Sequence, residues 1–159
     1  MLASFDILMV DGYNIIHAWD DLKKIAAQNL QQSRDYLVRI LTDFALSHNK
    51  KVIVVFDGKK ASHWTEQLPC PNLKVIFTSS ENSADTEIER IVYNSSCKEK
   101  ILVATSDRTE QLMVARMGAR YINTGQFYNF IEDSQEILRQ KIKRYAKPAR
   151  PTIGDTNEF

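Results

Sequence analysis

Four aspartates stand at or just beyond the ends of short apolar runs, and together they form the set best suited to chemistry. Asp11 lies in VDGYN (Val10–Asn14), Asp57 in FDG (Phe56–Gly58), Asp85 in SADTEIE (Ser83–Glu89) and Asp107 in TSDR (Thr105–Arg108). Each has an ordinary explanation by itself: Asp after a strand is a common turn or N-cap residue, and Asp85 near a helix start complements the helix dipole. Four carboxylates converging on one crevice are different, because they repel one another and raise some of their pKa values unless cations neutralise them. The set is all oxygen, without Cys, and His17, His48 and His63 are scattered elsewhere. Such donors suit hard divalent ions, Mg²⁺ or Mn²⁺. An ion of that kind polarises a phosphate oxygen, lowers the pKa of an attacking water and stabilises the leaving oxygen, so the chemistry indicated is phosphoryl transfer to water.

The elements that must position these acids are readable as alternating runs. FDILMV (Phe5–Val10), VIVVF (Val52–Phe56), LKVIF (Leu73–Phe77) and ILVA (Ile101–Ala104), with a weaker run at Arg120–Ile122, have the near-continuous apolar character of strands buried on both faces. Helical spacing occupies Ser33–His48, Ser83–Tyr93, Arg108–Met117 (ended by Gly118) and Gln126–Tyr145. This order predicts an α/β fold, a single-domain three-layer α/β/α sandwich with a mostly parallel central sheet and right-handed crossovers. In such sheets ligands bind beyond the carboxyl ends of the strands, where the winding reverses, and that is where the acids fall. Asp85 shares a helical face with Ile88, Glu89 and Val92, which predicts that it points towards the sheet.

The chain has 159 residues, 43% hydrophobic and 26% charged, enough for one domain with a substantial core. No apolar run reaches the ~18–20 residues that cross a bilayer and no signal-peptide pattern opens the chain, so a cytoplasmic location and no membrane partner are expected. Cys70 and Cys97 form no metal-ligand or redox motif. GxGxxG, GxxxxGK[ST] and GxSxG are absent, which removes dinucleotide, P-loop and α/β-hydrolase readings. No second Asp stands two positions after Asp11, which weakens an aspartyl-phosphate phosphatase.

Net charge is +1, but it is unevenly spread: residues 139–150 carry Arg139, Lys141, Lys143, Arg144, Lys147 and Arg150 with no acid. Setting aside those six, and Asp155 and Glu158, from the totals of 21 and 20 leaves 15 basic and 18 acidic residues in 1–138. A basic segment on an acidic body suits contact with phosphates, although cations also complement a helix C-terminus. The basic, aromatic loop Lys59, Lys60, His63 and Trp64 suits backbone contact and base stacking. The domain is expected over 1–147, with a frayed tail at 148–159.

VDGYNII (Val10–Ile16), FDG, FTSSENSADTEIE (Phe77–Glu89) and ATSDRTEQ (Ala104–Gln111) together resemble the NYN branch of the PIN-like nucleases, most closely the YacP-like proteins, over about residues 5–145. That resemblance implies a metal-dependent, ribosome-associated endoribonuclease acting on RNA, mRNA in particular, in the bacterial cytoplasm, or the plastid stroma for plant relatives. It implies a metal-binding set of Asp11, Asp85 and Asp107 with Asp57 as a fourth. It further implies Asn14 bonding to a metal-bound water or the scissile phosphate, Glu89 supporting the ligands from behind, and products ending in 5′-phosphate and 3′-hydroxyl. Arg108, Lys141, Lys143 and Arg144 join the loop cations as expected RNA contacts. Many PIN-like proteins place an acid two residues after the Asp107 position, where this chain has Thr109 and then Glu110. Two rivals are a catalytically inactive RNA- or ribosome-binding module on the same fold, and a small-molecule phosphatase on the same sheet.

Overall fold

A computed structural model describes residues 4–58, 64–66 and 70–146. In chain order its elements are β1 (Ile7–Asp11), α1 (Gly12–Ala18), α2 (Asp20–Gln28), α3 (Leu30–His48), β2 (Lys51–Phe56), β3 (Trp64–Glu66), β4 (Leu73–Phe77), α4 (Ala84–Asn94), a 3₁₀ turn (Lys98–Lys100), β5 (Ile101–Ala104), α5 (Arg108–Arg116), β6 (Arg120–Ile122) and α6 (Thr124–Ala146). The strands form one sheet in the order β3-β4-β2-β1-β5-β6, all parallel except the edge strand β3, which runs antiparallel to β4. The tail 148–159 lies outside the described residues.

The apolar runs form central strands because both faces are covered. Leu8, Val10, Val54 and Phe56 pack beneath Ile15, Leu37, Leu41, Phe44, Phe127 and Ile131 of α1, α3 and α6. On the other face Met9, Val55, Ile76 and Val103 pack against Ile88, Val92 and Val114 of α4 and α5. The expected three-layer α/β/α sandwich is therefore present. From β1 the chain winds outward to β2 and β4, then returns to the other side of β1 as β5 and continues to β6. The reversal lies between β1 and β5.

Departures from the sequence reading are local. β1 ends on Asp11 rather than before it, and strand alternation sets Asp11 on the face of Met9, towards α4 and α5. α3 begins at Leu30, because the Asn29 side chain accepts from the Gln32 N–H at 3.0 Å and caps it. Gly12–Gln28, to which the sequence reading assigned no element, forms two short helices separated by Trp19. β3 is a three-residue edge strand, too short for an alternation pattern to register. Among the described residues no helix is long and apolar enough to cross a membrane.

Candidate active site

The corner between β1 and α1 is shaped by a close approach. A Cβ on Gly12 would stand 2.3 Å from the ring of Phe56, which is fully buried, so only glycine lets the chain turn there. Two residues later Asn14 accepts at Oδ1 from the Ser106 N–H at 2.8 Å. Ser106 Oγ accepts from the Thr124 N–H at 2.9 Å, and the Thr124 carbonyl accepts from Trp19 Nε1 at 2.9 Å. These bonds join α1, the loop after β5 and the start of α6 around the winding reversal. The turn after β2 is equally tight: a Cβ on Gly58 would meet the Thr78 carbonyl oxygen at 1.9 Å.

Two of the four aspartates have structural tasks here. Asp57 accepts from the Ala84 N–H at 2.6 Å, so a residue from the end of β2 caps α4. Asp107 is the N-cap of α5 and accepts from the Thr109 N–H at 3.0 Å and the Glu110 N–H at 3.4 Å. The Ser83 hydroxyl, at the N-cap of α4, donates to the Asp85 carboxylate. Asp85 is half-buried at the border of the apolar face of α4, rather than on it beside the fully buried Ile88 and Val92. Glu89 is half-buried one turn further along.

Glu110, which the sequence reading named only as a departure after Asp107 and gave no role, is the residue that stands out here. It is 0% exposed, and neither carboxylate oxygen has a hydrogen-bond partner among the described residues. Burial and then the charge of Asp11 push its pKa up to about 8; Thr105 and Asp11 act on it from nearby, at geometry short of a hydrogen bond. Asp11 is pushed up to about 6, chiefly by burial. The Glu110 carboxyl and the Asn14 backbone amide pull it down, and the charges of Asp57 and Asp85 push it further up. Glu89 is raised by burial, then by Asp85 and Asp107. Asp11, Asp57, Asp85, Glu89, Asp107 and Glu110 therefore form one web of mutually repelling acids at the carboxyl end of the sheet. The ion pairs among the described residues, Arg90–Glu87 and Arg139–Glu136, involve none of them.

As they stand, no three His, Cys, Asp or Glu side chains among the described residues form a group that could hold an ion. The donor chemistry nonetheless fits a hard divalent cation. The oxygens of Glu110 are buried and unsatisfied, the web is all carboxylate, and Mg²⁺ is commonly held by one or two carboxylates with waters and substrate phosphates completing the shell.

The expected RNA contacts are dispersed. Arg108, beside Asp107, is exposed at the rim and donates from Nη1 to Gln111 Oε1 at 3.3 Å and to the Tyr121 hydroxyl at 3.2 Å. Lys59, Lys60 and His63 lie outside the described residues, and the backbone of Trp64 pairs with Phe77 as the first residue of β3. Lys141, Lys143 and Arg144 are exposed near the far end of α6, about 26 Å along the helix from Thr124 at ~1.5 Å per residue, and are not part of this site. A cation not anticipated from sequence is Arg34 of α3, which donates to the Tyr13 hydroxyl at 2.9 Å and lies 5.8 Å from the centre of the Phe77 ring.

Comparison with known proteins gives consistent matches. The family model for the YacP-like NYN domain matches residues 8–157. The uncharacterized protein YacP of Bacillus subtilis (strain 168) is 31% identical over 147 residues, covering 91% of this chain and 86% of that protein. The crystal structure of Rae1 (YacP) from Bacillus subtilis is similar at 32% identity with a TM-score of 0.75, over 91% of this chain and 85% of that one. A tryptophan-to-leucine variant of it matches at 28% identity with a TM-score of 0.74, over 96% and 86% of the two chains.

Proposed function

This chain belongs to the YacP-like NYN domain family, and from that premise we propose that it is a divalent-cation-dependent endoribonuclease that cuts mRNA in association with the ribosome. The observation that carries the proposal is the acid web, and within it the buried, unsatisfied Glu110 beside Asp11. Repelling carboxylates and an orphaned buried acid cost stability, and a cation relieves both.

In this reading Asp11, Asp85 and Asp107 hold Mg²⁺ or Mn²⁺, with Asp57 at the edge and Glu110 beneath. The bound ion supplies Lewis acidity to the phosphate and a lowered pKa to the attacking water. The remaining work belongs to the chain. Asn14 is fixed by its Oδ1 contact to Ser106, which leaves its NH₂ group to donate to a phosphate oxygen. Asp11 and Glu110 hold a proton between them near neutral pH, so cation uptake is linked to proton release. Glu89 adds negative charge behind Asp85. No side-chain nucleophile is used, and the products expected from the resemblance carry 5′-phosphate and 3′-hydroxyl ends.

The inactive binding module remains a second reading because Asp57 and Asp107 already serve as caps and no three-acid ligand group is assembled. Cleavage in a translating extract containing Mg²⁺, with ends mapped by primer extension, separates the two. Cuts made by the wild type and absent with Asp85→Asn support the nuclease. No cuts from either protein, with both still co-sedimenting with ribosomes, support the module.

A further inference from the structure

Arg34 of α3 sits in a cleft that the acid web does not account for. The cleft, about 150 Å³, lies between α3 and the carboxyl ends of β2 and β4, with Arg34, Phe56, Val75 and Phe77 in its lining. Its floor is continuous with the acids. Phe56, fully buried, immediately precedes Asp57, and its ring centre lies 5.0 Å from that of Tyr13, the residue before Asn14. Phe77 stands directly across from Phe56 in the parallel pairing of β2 with β4. Because β4 is two strands away from β1, the far wall lies roughly 10 Å across the sheet from Asp11, at ~4.8 Å per strand.

Arg34 is half-buried, and its one hydrogen bond among the described residues is the 2.9 Å donation from Nη1 to the Tyr13 hydroxyl. That acceptor is neutral, as is the Phe77 ring whose centre lies 5.8 Å from Cζ. Asp35, the one acid in the lining of the cleft, is exposed, and neither it nor Arg34 takes part in the ion pairs among the described residues. A guanidinium carries five N–H donors in a planar fork that matches two oxygens of a phosphate. Arg34 is therefore fixed in direction by two aromatic neighbours while most of its donors and its whole charge remain uncommitted. A tie between α3 and α1 alone needs one hydrogen bond and gains nothing from a cation, because partial burial of an unpaired charge costs stability.

From this placement we infer that Arg34 grips a phosphate of the single RNA strand cut at the acid web, a few nucleotides from the scissile bond. The inference rests on the RNA reading proposed above and adds a substrate contact to it. A span of roughly 10 Å is about three nucleotides at the ~3.4 Å phosphate spacing of a stacked strand, so one strand reaches both places. Tyr13 links them: its hydroxyl fixes the guanidinium, and the next residue, Asn14, offers its amide in the proposed site. The strand then crosses the carboxyl ends of β1, β2 and β4, with Asp57 between its two points of attachment. Arg34 binds and registers the strand and stands away from the reacting atoms.

The test compares the full-length wild type with Arg34→Gln and Arg34→Lys. Fluorescence anisotropy across a salt series, with Ca²⁺ in place of Mg²⁺, measures binding to a short labelled RNA single strand and to a set of strands that each carry one uncharged methylphosphonate at a different position. Arg34→Gln should bind the plain strand about 10-fold more weakly and lose about 0.7 from the slope of log K against log salt, the share of one phosphate on a single strand. Arg34→Lys should keep that slope. At one position the methylphosphonate should weaken the wild type by a similar factor and leave Arg34→Gln unaffected, since the partner charge is already gone. A merely structural role cannot produce that non-additivity at a single position. Equal binding by wild type and Arg34→Gln overturns the inference, as does a variant whose loss adds to the methylphosphonate loss at every position, or a wild type that does not bind the strand. The nuclease reading is judged separately by cuts in the translating extract: a wild type that binds in this pattern without cutting refutes the nuclease and leaves the Arg34 contact standing.

Discussion

Replacing Glu110 with Gln removes the ionisable group while keeping its shape, and the structure gives the sign and size of the effect. Glu110 has an ordinary pKa of 4.5 when unfolded and about 8 when folded. A raised acid pKa means that the folded state takes up a proton, so the stability linked to this group is fully present below pH 4.5 and is lost as pH rises to about 8. At pH 7 the cost of holding this carboxyl in its buried site is on the order of 3 kcal/mol, at ~1.4 kcal/mol per pH unit. Glutamine avoids that cost. Asp11 offers an acceptor for its amide, while a remaining unpaired N–H takes back about 1 kcal/mol. The net expectation is a gain of about 2 kcal/mol, or a rise in Tm of roughly 4–8 °C for a chain of this size.

The assay is thermal unfolding by circular dichroism in EDTA at pH 5, 7 and 8.5, which keeps cations from compensating the acids. Wild-type Tm should fall across that range, with Asp11, displaced from 3.8 to about 6, adding to the slope at its lower end. The variant's advantage should be small at pH 5 and full by pH 8.5. A variant less stable than wild type at pH 7, or an advantage that does not grow with pH, would refute the claim that Glu110 is a strained buried acid.

Two further outcomes are expected. Millimolar Mg²⁺ should raise wild-type Tm more at pH 8 than at pH 6, by an amount equivalent to about 1–3 kcal/mol, because cation and proton compete for the same carboxylates; differential scanning fluorimetry with and without the ion checks this. Gly12→Ala should destabilise the fold by about 1–3 kcal/mol through overpacking against Phe56, read as a lower urea midpoint with an unchanged m-value.

The strands were legible because parallel strands under two helical layers have no solvent face, so Leu8, Met9 and Val10 must all be apolar. Helices α1 and α2 were not assigned: α1 has seven residues, and α2, although amphipathic, has nine and buries only Leu22. Glu110 was legible only as an acid one place further from Asp107 than many PIN-like proteins have it, with no role attached. Asp107-x-x-Glu110 reads as a capping box, in which the Glu reaches back to the N-cap amide. Here the Asp107 N–H goes instead to Thr105 Oγ1 at 3.1 Å, and pairing of β5 with β1 brings Glu110 under Asp11. That encounter depends on strands far apart in sequence, and no local pattern records it.

The same geometry explains how the fold tolerates its acids. α4 and α5 both begin at the carboxyl end of the sheet, so the positive ends of their dipoles face the web. Asp57 and Asp107 bond directly to amides of those two first turns, which offsets part of their charge where it gathers. Asp11 and Glu110 also stand at helix starts, but gain less from them: Asp11, at the N-cap of α1, makes no side-chain cap bond, and Glu110, in the first turn of α5, is orphaned. The unneutralised charge is thus concentrated on the one pair lying deepest, at the winding reversal between β1 and β5. In the proposed reading, a cation in the crevice would gain most by approaching that pair. Asp57 and Asp107, bonded as caps, hold α4 and α5 in position, and so fix the rim of the crevice around that pair.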